Sequence, residues 1–192
     1  MHKRMVVTVS ALLFLLLIAG DNHPSAGAQD GSTGYCAGEA GIEMLKRMNH
    51  LRKENRLHPL VLSEPLGIAA EQKAHDMAKH DYVAHVSPDG QDPQELLDEV
   101  GYDYNTATGE NIAAGHEGAE ATFKQWLNSP EHRETMLGEN YTAVGIGRAH
   151  NAEAKYDWYW VAEFGGEVGK QAEACDRATP VATPVAIKSM GS

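Results

Sequence analysis

Cysteine is almost missing from this chain: 192 residues carry two, Cys36 and Cys175. No CxxC pair and no HExxH run occurs. The tight spacings that identify the strong metal motifs are therefore excluded. Basic residues are scarce as well. Sixteen Lys and Arg face 27 Asp and Glu, a formal charge of −11, so a basic footprint for nucleic acid is absent and anionic membranes should repel the protein. Long apolar runs are lacking except at residues 5–20, a run too short and too weakly flanked for a membrane span. No cysteine follows it, which leaves a lipid-modified bacterial N-terminus without support.

What is present reads as one exported domain. His2, Lys3 and Arg4 precede the apolar run, and Ala26-Gly27-Ala28 offers a small-residue cleavage site, so 1–28 is expected to be a signal peptide. An uncleaved N-terminal anchor is the alternative. Cleavage removes Lys3, Arg4 and Asp21 and takes the charge from −11 to −12. Residues 29–38 are polar and glycine-rich, a linker. Residues 39–170 form the domain. Residues 171–192, with ATPV at 178–181 and again at 182–185, form a flexible tail. At 42% hydrophobic and 22% charged, the chain has the means for a packed core. Export permits a Cys36–Cys175 disulfide, which would clamp the two ends together with a stabilisation of roughly 5 kcal/mol at most.

Within the domain, periodicity predicts four or five helices around a small antiparallel sheet. Residues 39–54 place Ile42, Leu45, Met48 and Leu51 on one face, and Asn55 is the stop. Ser63 and Pro65 open a second helix, with Leu66, Ala69, Ala70, Ala74 and Met77 along one side. Asp92, Pro93 and Glu95 make a capping box ahead of Leu96, Leu97 and Val100, and Gly101 ends that helix. A loop then runs to Gly109. Residues 117–128 are helical, and Ser129-Pro130 restarts a short helix that stops at Gly138. Residues 141–149 and 156–164 alternate and form a hairpin. Trp158, Trp160, Ala162 and Phe164 share a face of it that packs on helices, while Tyr159, Val161 and Glu163 share the other.

The chemistry concentrates in three blocks: AHVSPDG at 84–90, GENIAA at 109–114 and WLNSPEHRETML at 126–137. They carry His85, Glu110 and His132, separated by 25 residues (85 to 110) and then 22 (110 to 132), room each time for a helix and a turn. Two imidazoles and a carboxylate suit a divalent cation such as zinc, and with an open position could activate water. Histidines satisfied by hydrogen bonds, and a Glu110 that pins its loop through backbone N–H groups, are the structural alternatives. Ser87 imitates a nucleophile beside His85, but Ser87-Pro88-Asp89-Gly90 is turn chemistry and no nucleophile elbow is present. His75 and His80, five apart, point to different sides of their helix, and His116 and His150 read as exposed loop residues.

Seven blocks in order, from MLKRMNHLRKENRLHPL through LGIAAEQKAHDMA to YTAVGIGRA and YWVAEFG, carry a resemblance. The chain resembles the CAP superfamily of cysteine-rich secretory proteins, insect venom antigens of the antigen 5 kind and plant pathogenesis-related class 1 proteins. It is most similar to the bacterial secreted SCP-like members. The resemblance implies an α+β fold, a three-layer α-β-α sandwich with a large open cleft. It also implies a tetrad of two histidines and two glutamates that can hold a divalent ion, often zinc. His85 matches the first histidine, Glu110 the first glutamate and His132 the second histidine. The fourth member does not transfer, because Asn128 and Ser129 stand where the second glutamate belongs. The expectation is a secreted binding module for an extracellular ligand, with a peptidase or cell-envelope hydrolase and a lipid-binding carrier as the alternatives.

Overall fold

The computed structural model describes residues 34–175. The signal peptide expected over 1–28 lies outside them, as do residues 29–33 of the linker and 176–192 of the tail. In chain order the elements are β1 (Cys36–Ala37), α1 (Glu39–Glu54), β2 (Val61–Leu62), α2 (Glu64–His80), α3 (Pro93–Glu99), β3 (Thr108–Ala114), α4 (Ala119–Asn128), α5 (Pro130–Met136), β4 (Ala143–Asn151), β5 (Asp157–Gly165) and β6 (Glu173–Ala174).

The central sheet has the order β2-β4-β5-β3. Strands β4 and β5 form the expected antiparallel hairpin, and β3 pairs antiparallel with the other side of β5. The two-residue β2 adds to β4 in parallel, so the sheet is antiparallel apart from that edge. Alternation along β5 sends Trp160, Ala162 and Phe164 into a core shared with Met44, Met48 and Leu51 of α1, Trp126 of α4 and Met136 of α5. It sends Tyr159 and Val161 the other way, onto Ala70, Ala74 and Met77 of α2. Helix α3 rests on α2 through Leu96, Leu97, Leu66 and Ala69. The result is a three-layer α-β-α sandwich. Each large apolar side chain so buried is worth roughly 1.5–3 kcal/mol.

The alanines of α2 let its backbone lie almost on the sheet, and two glycines of β4 complete the approach. A Cβ on Gly145 would sit 2.0 Å from the Leu66 carbonyl carbon, and one on Gly147 would sit 2.1 Å from the Ala70 oxygen. No other residue fits those two positions without parting helix and strand.

The ends of the domain hold more structure than their composition predicts. Tyr35 is buried, with its hydroxyl donating to the Ile146 carbonyl. Strand β1 pairs with β6, and the Cys36–Cys175 disulfide closes a separation of 139 residues beside them. The linker expected over 29–38 and the tail expected over 171–192 therefore overlap these paired residues. The capping box of α3 forms as expected. Ser63 does stand at the N-cap of α2, yet its buried hydroxyl makes no capping bond and finds no partner among the described residues.

Arg52 is the largest departure on α1. It lies where the helix should turn polar, but it is wholly buried. Its guanidinium donates to four carbonyls, those of His58, Met136, Gly138 and Tyr141, at 2.8–3.0 Å. One planar cation thus ties α1 to the turn that joins α5 to β4.

Candidate functional site

The site forms at the outer edge of β3, where residues from four elements and one loop converge. Glu110 and Asn111 are neighbours on β3, so the pleat aims them at opposite faces. Asn111 is buried on the α5 side and donates through Nδ2 to the His132 carbonyl at 2.9 Å, which fixes the first turn of α5 beside the strand. Glu110 points to the α2 side. There its Oε1 accepts a hydrogen bond from His85 Nδ1 at 2.5 Å. The imidazole stands 54% exposed and the carboxylate beneath it is 4% exposed, so one faces solvent and the other supports it.

His85 sits in an irregular loop, and α2 supplies what holds that loop. Lys73 is buried. Its Nζ donates to the His85 carbonyl at 2.6 Å, to Ser87 Oγ at 3.1 Å and to the Tyr82 hydroxyl at 3.1 Å. All three ammonium donors are used on residues around His85. Tyr82 is held in turn by Asp76, and Asp76 by His80 at 2.7 Å. Ser87 is thus occupied as a loop anchor, in keeping with its turn chemistry. Burial lowers the Lys73 pKa, and the carboxylates of Glu110, Asp76 and Glu163 work against that by favouring the charged form.

Behind Glu110 lies Glu163 of β5, its register partner across the ladder. Glu163 is 1% exposed, and both its oxygens, with Glu110 Oε2, lack a donor among the described residues. Two ionised carboxylates cannot bond to one another, whereas one shared proton makes them partners. The electrostatics agree. Burial first, then the charge of Glu110, pushes Glu163 well above the carboxylate range, with Lys73 opposing. Burial therefore favours the protonated form of Glu163, which can donate to Glu110. The chain of contacts runs Glu163, Glu110, His85, from core to solvent.

The two histidines are driven apart. The bond to Glu110 raises the His85 pKa, while burial and then the nearby charge of His85 lower that of His132. One imidazole is held ready to be cationic and the other neutral. His132 Nδ1 is buried and without a partner among the described residues.

Of the three expected site residues, the structure joins His85 to Glu110, and His132 lies near enough for the charge of His85 to lower its pKa. Glu110 lies behind His85 and spends one oxygen on it, a carboxylate-to-histidine arrangement that orients a ring toward a metal. Among the described residues no three His, Cys, Asp or Glu close on a common point for an ion. By donor chemistry alone, imidazole nitrogen and carboxylate oxygen are ligands that a divalent cation such as zinc accepts. Asn128 and Ser129 supply no carboxylate: Ser129 joins α4 to α5. His116 and His150 lie outside the site and are exposed. His150 belongs to β4 and not to a loop, because the hairpin stays paired out to Asn151 and Asp157. Its ring packs on Trp158, with centroids 4.5 Å apart.

Sequence reasoning missed two members of the site. Lys73 falls on the buried stripe of α2, three after Ala70 and four before Met77. Glu163 shares a strand face with Tyr159 and Val161. Each is a charge in an apolar pattern, which is the signal that could have found it.

A family model described as CAP, the cysteine-rich secretory protein family, matches residues 45–164, more than half of the chain. The protein YkwD of Bacillus subtilis, itself uncharacterised, is 33% identical over 125 residues, 65% of this chain and 46% of its own length. A crystal structure of an extracellular protein containing a SCP domain from Bacillus anthracis superposes with a TM-score of 0.59 at 27% identity. That match takes in 66% of this chain and 40% of the other. An outer surface protein of Borrelia burgdorferi shares the fold at the same TM-score and 24% identity, over 69% of this chain and 93% of its own. The chain therefore spans less than half the length of the Bacillus relatives.

Proposed function

Because this chain belongs to the CAP family of cysteine-rich secretory proteins, we propose that it is an exported binding protein whose cleft takes a divalent cation between His85 and His132. Export is supported by the Cys36–Cys175 bridge and by the extracellular and outer-surface origin of its structural relatives. The observation that carries the cation reading is the 2.5 Å bond from His85 Nδ1 to the buried Glu110, which leaves the other ring nitrogen facing solvent. Zinc is the ion that suits two imidazoles and water best. His132, kept neutral by its burial, needs no deprotonation to bind.

Calorimetric titration of zinc into the wild type, His85→Ala and His132→Ala tests this. Each variant should bind at least about tenfold more weakly, in line with loss of a ligand or its support. Equal heats from all three would end the proposal. Because Glu110 raises the His85 pKa above its usual 6.5, a proton competes with the ion, and affinity should climb as pH rises through that raised value.

The Glu163–Glu110–His85 chain also favours a second reading, a peptidase or cell-envelope hydrolase with His85 as general base. Ser87, held by Lys73 and Tyr82, is no nucleophile in it. Chelator-sensitive release of fragments from casein or peptidoglycan, lost in Glu110→Gln, would favour that reading over binding alone.

A further inference from the structure

Strand β3 is the outer strand of its sheet, and its hydrogen-bonding pattern can be read from the register. Gly166 N–H bonds the Ala107 carbonyl at 3.1 Å, and Gly115 N–H bonds the Trp158 carbonyl at 2.9 Å. Between those two fixed points an antiparallel ladder alternates. Residues 109, 111 and 113 therefore pair with β5, while Thr108, Glu110 and Ile112 turn their main-chain groups outward.

Two of the outward carbonyls are capped. Tyr141 donates its hydroxyl to Thr108 at 2.9 Å, and Trp126 donates Nε1 to Ile112 at 3.0 Å. Glu110 lies between them and receives neither cap. Its side chain is only 4% exposed, yet the residue as a whole is partly exposed, so the surface that solvent reaches is main chain. An outward N–H and C=O pair on an edge strand is a template for another strand.

The surroundings specify what could pair there. Val83 and Val86, on the loop that carries His85, are large apolar side chains 41% and 50% exposed. Glu131 is exposed at the rim and close enough to influence both imidazoles, and Asp89 is exposed near Lys73. The chain as a whole carries −11. We propose that the edge of β3 at Glu110 receives an extended peptide of alternating basic and apolar residues, held by main-chain pairing with Glu110. This goes beyond cation binding and does not depend on it.

Amide hydrogen exchange on the full chain, kept in chelator so that no metal contributes, tests the inference. The probe is an acetylated, amidated pentapeptide of alternating lysine and valine, with a second copy N-methylated at alternate amides. Without peptide, the Glu110 amide should exchange much faster than that of Asn111, which pairs with β5. With millimolar peptide it should slow at least about tenfold, and the N-methylated copy should leave it unchanged. A Glu110 amide already slow without peptide would overturn the inference. So would an amide unaffected by the peptide, or one protected equally by the methylated copy. A glutamate–valine peptide that protects equally would overturn the choice of a basic partner. Zinc binding, measured separately, stands or falls without any of these results.

Discussion

Replacing Glu163 with glutamine should stabilise the protein, by an amount that grows with pH. Glu163 is buried against Glu110 and holds its proton far more tightly than a solvated glutamate, whose ordinary value is 4.5. Below that value the folded and unfolded chains both carry the proton, and the substitution should change stability by no more than about 1 kcal/mol. Above it the unfolded chain releases the proton while the folded chain retains it. The wild type then loses about 1.4 kcal/mol of stability for each pH unit until the raised folded value is passed. Glutamine has nothing to release, and its amide can donate to Glu110 in the same place. The unfolding free energy of Glu163→Gln minus that of the wild type should thus rise with pH above 4.5, with a slope of up to about 1.4 kcal/mol per pH unit. Taking the difference removes titrations common to both proteins, among them His85, whose own stabilisation fades as pH rises through its raised pKa. Urea unfolding followed by fluorescence of the buried Trp126 and Trp160 at several pH values measures it. Parallel stability curves for the two proteins would refute the shared proton.

Arg52→Met strands four carbonyls, one buried and three partly buried, and should cost roughly 3 kcal/mol in denaturant unfolding, with Arg52→Lys restoring less than half of the loss. A cost under about 1 kcal/mol would show that water serves those carbonyls as well. Reducing the Cys36–Cys175 bond frees a loop of 139 residues, and stability should fall by up to about 5 kcal/mol; an unchanged melting temperature in reductant would contradict the clamp.

Where one physical signal dominates, the sequence is easy to read. The alternation of Trp160, Ala162 and Phe164 against Tyr159 and Val161 identified both faces of β5, while Trp158, expected to pack on helices, lies partly exposed against His150 and Arg148. The bounds of α1 follow from its apolar spacing and from Asn55. Strand β3 was hidden. Both of its faces are buried, Asn111 and Ala113 on one and Ile112 on the other, so no alternation of apolar and polar residues marks it, and its Gly and Ala residues carry little propensity for any element. The pairing of His85 with Glu110 depends on contacts that no spacing encodes. Lys73 was passed over on its helix, and Glu163 was placed only by its strand face. Their cost in that setting is offset only by partners distant in sequence, which is why they could not be assigned before the fold was known.

The ammonium of Lys73 grips the chain on both sides of His85, at the Tyr82 hydroxyl before it and at Ser87 after it, and holds the His85 carbonyl as well. A loop fastened in this way has little compliance. A ligand that draws on the imidazole pulls against a helix seated on the sheet and not against a hinge. Few rotors remain to be frozen on contact, so docking there should be quick and little affected by temperature. Discrimination between ligands should then follow from shape and charge, since the cleft can adapt very little to a poor fit.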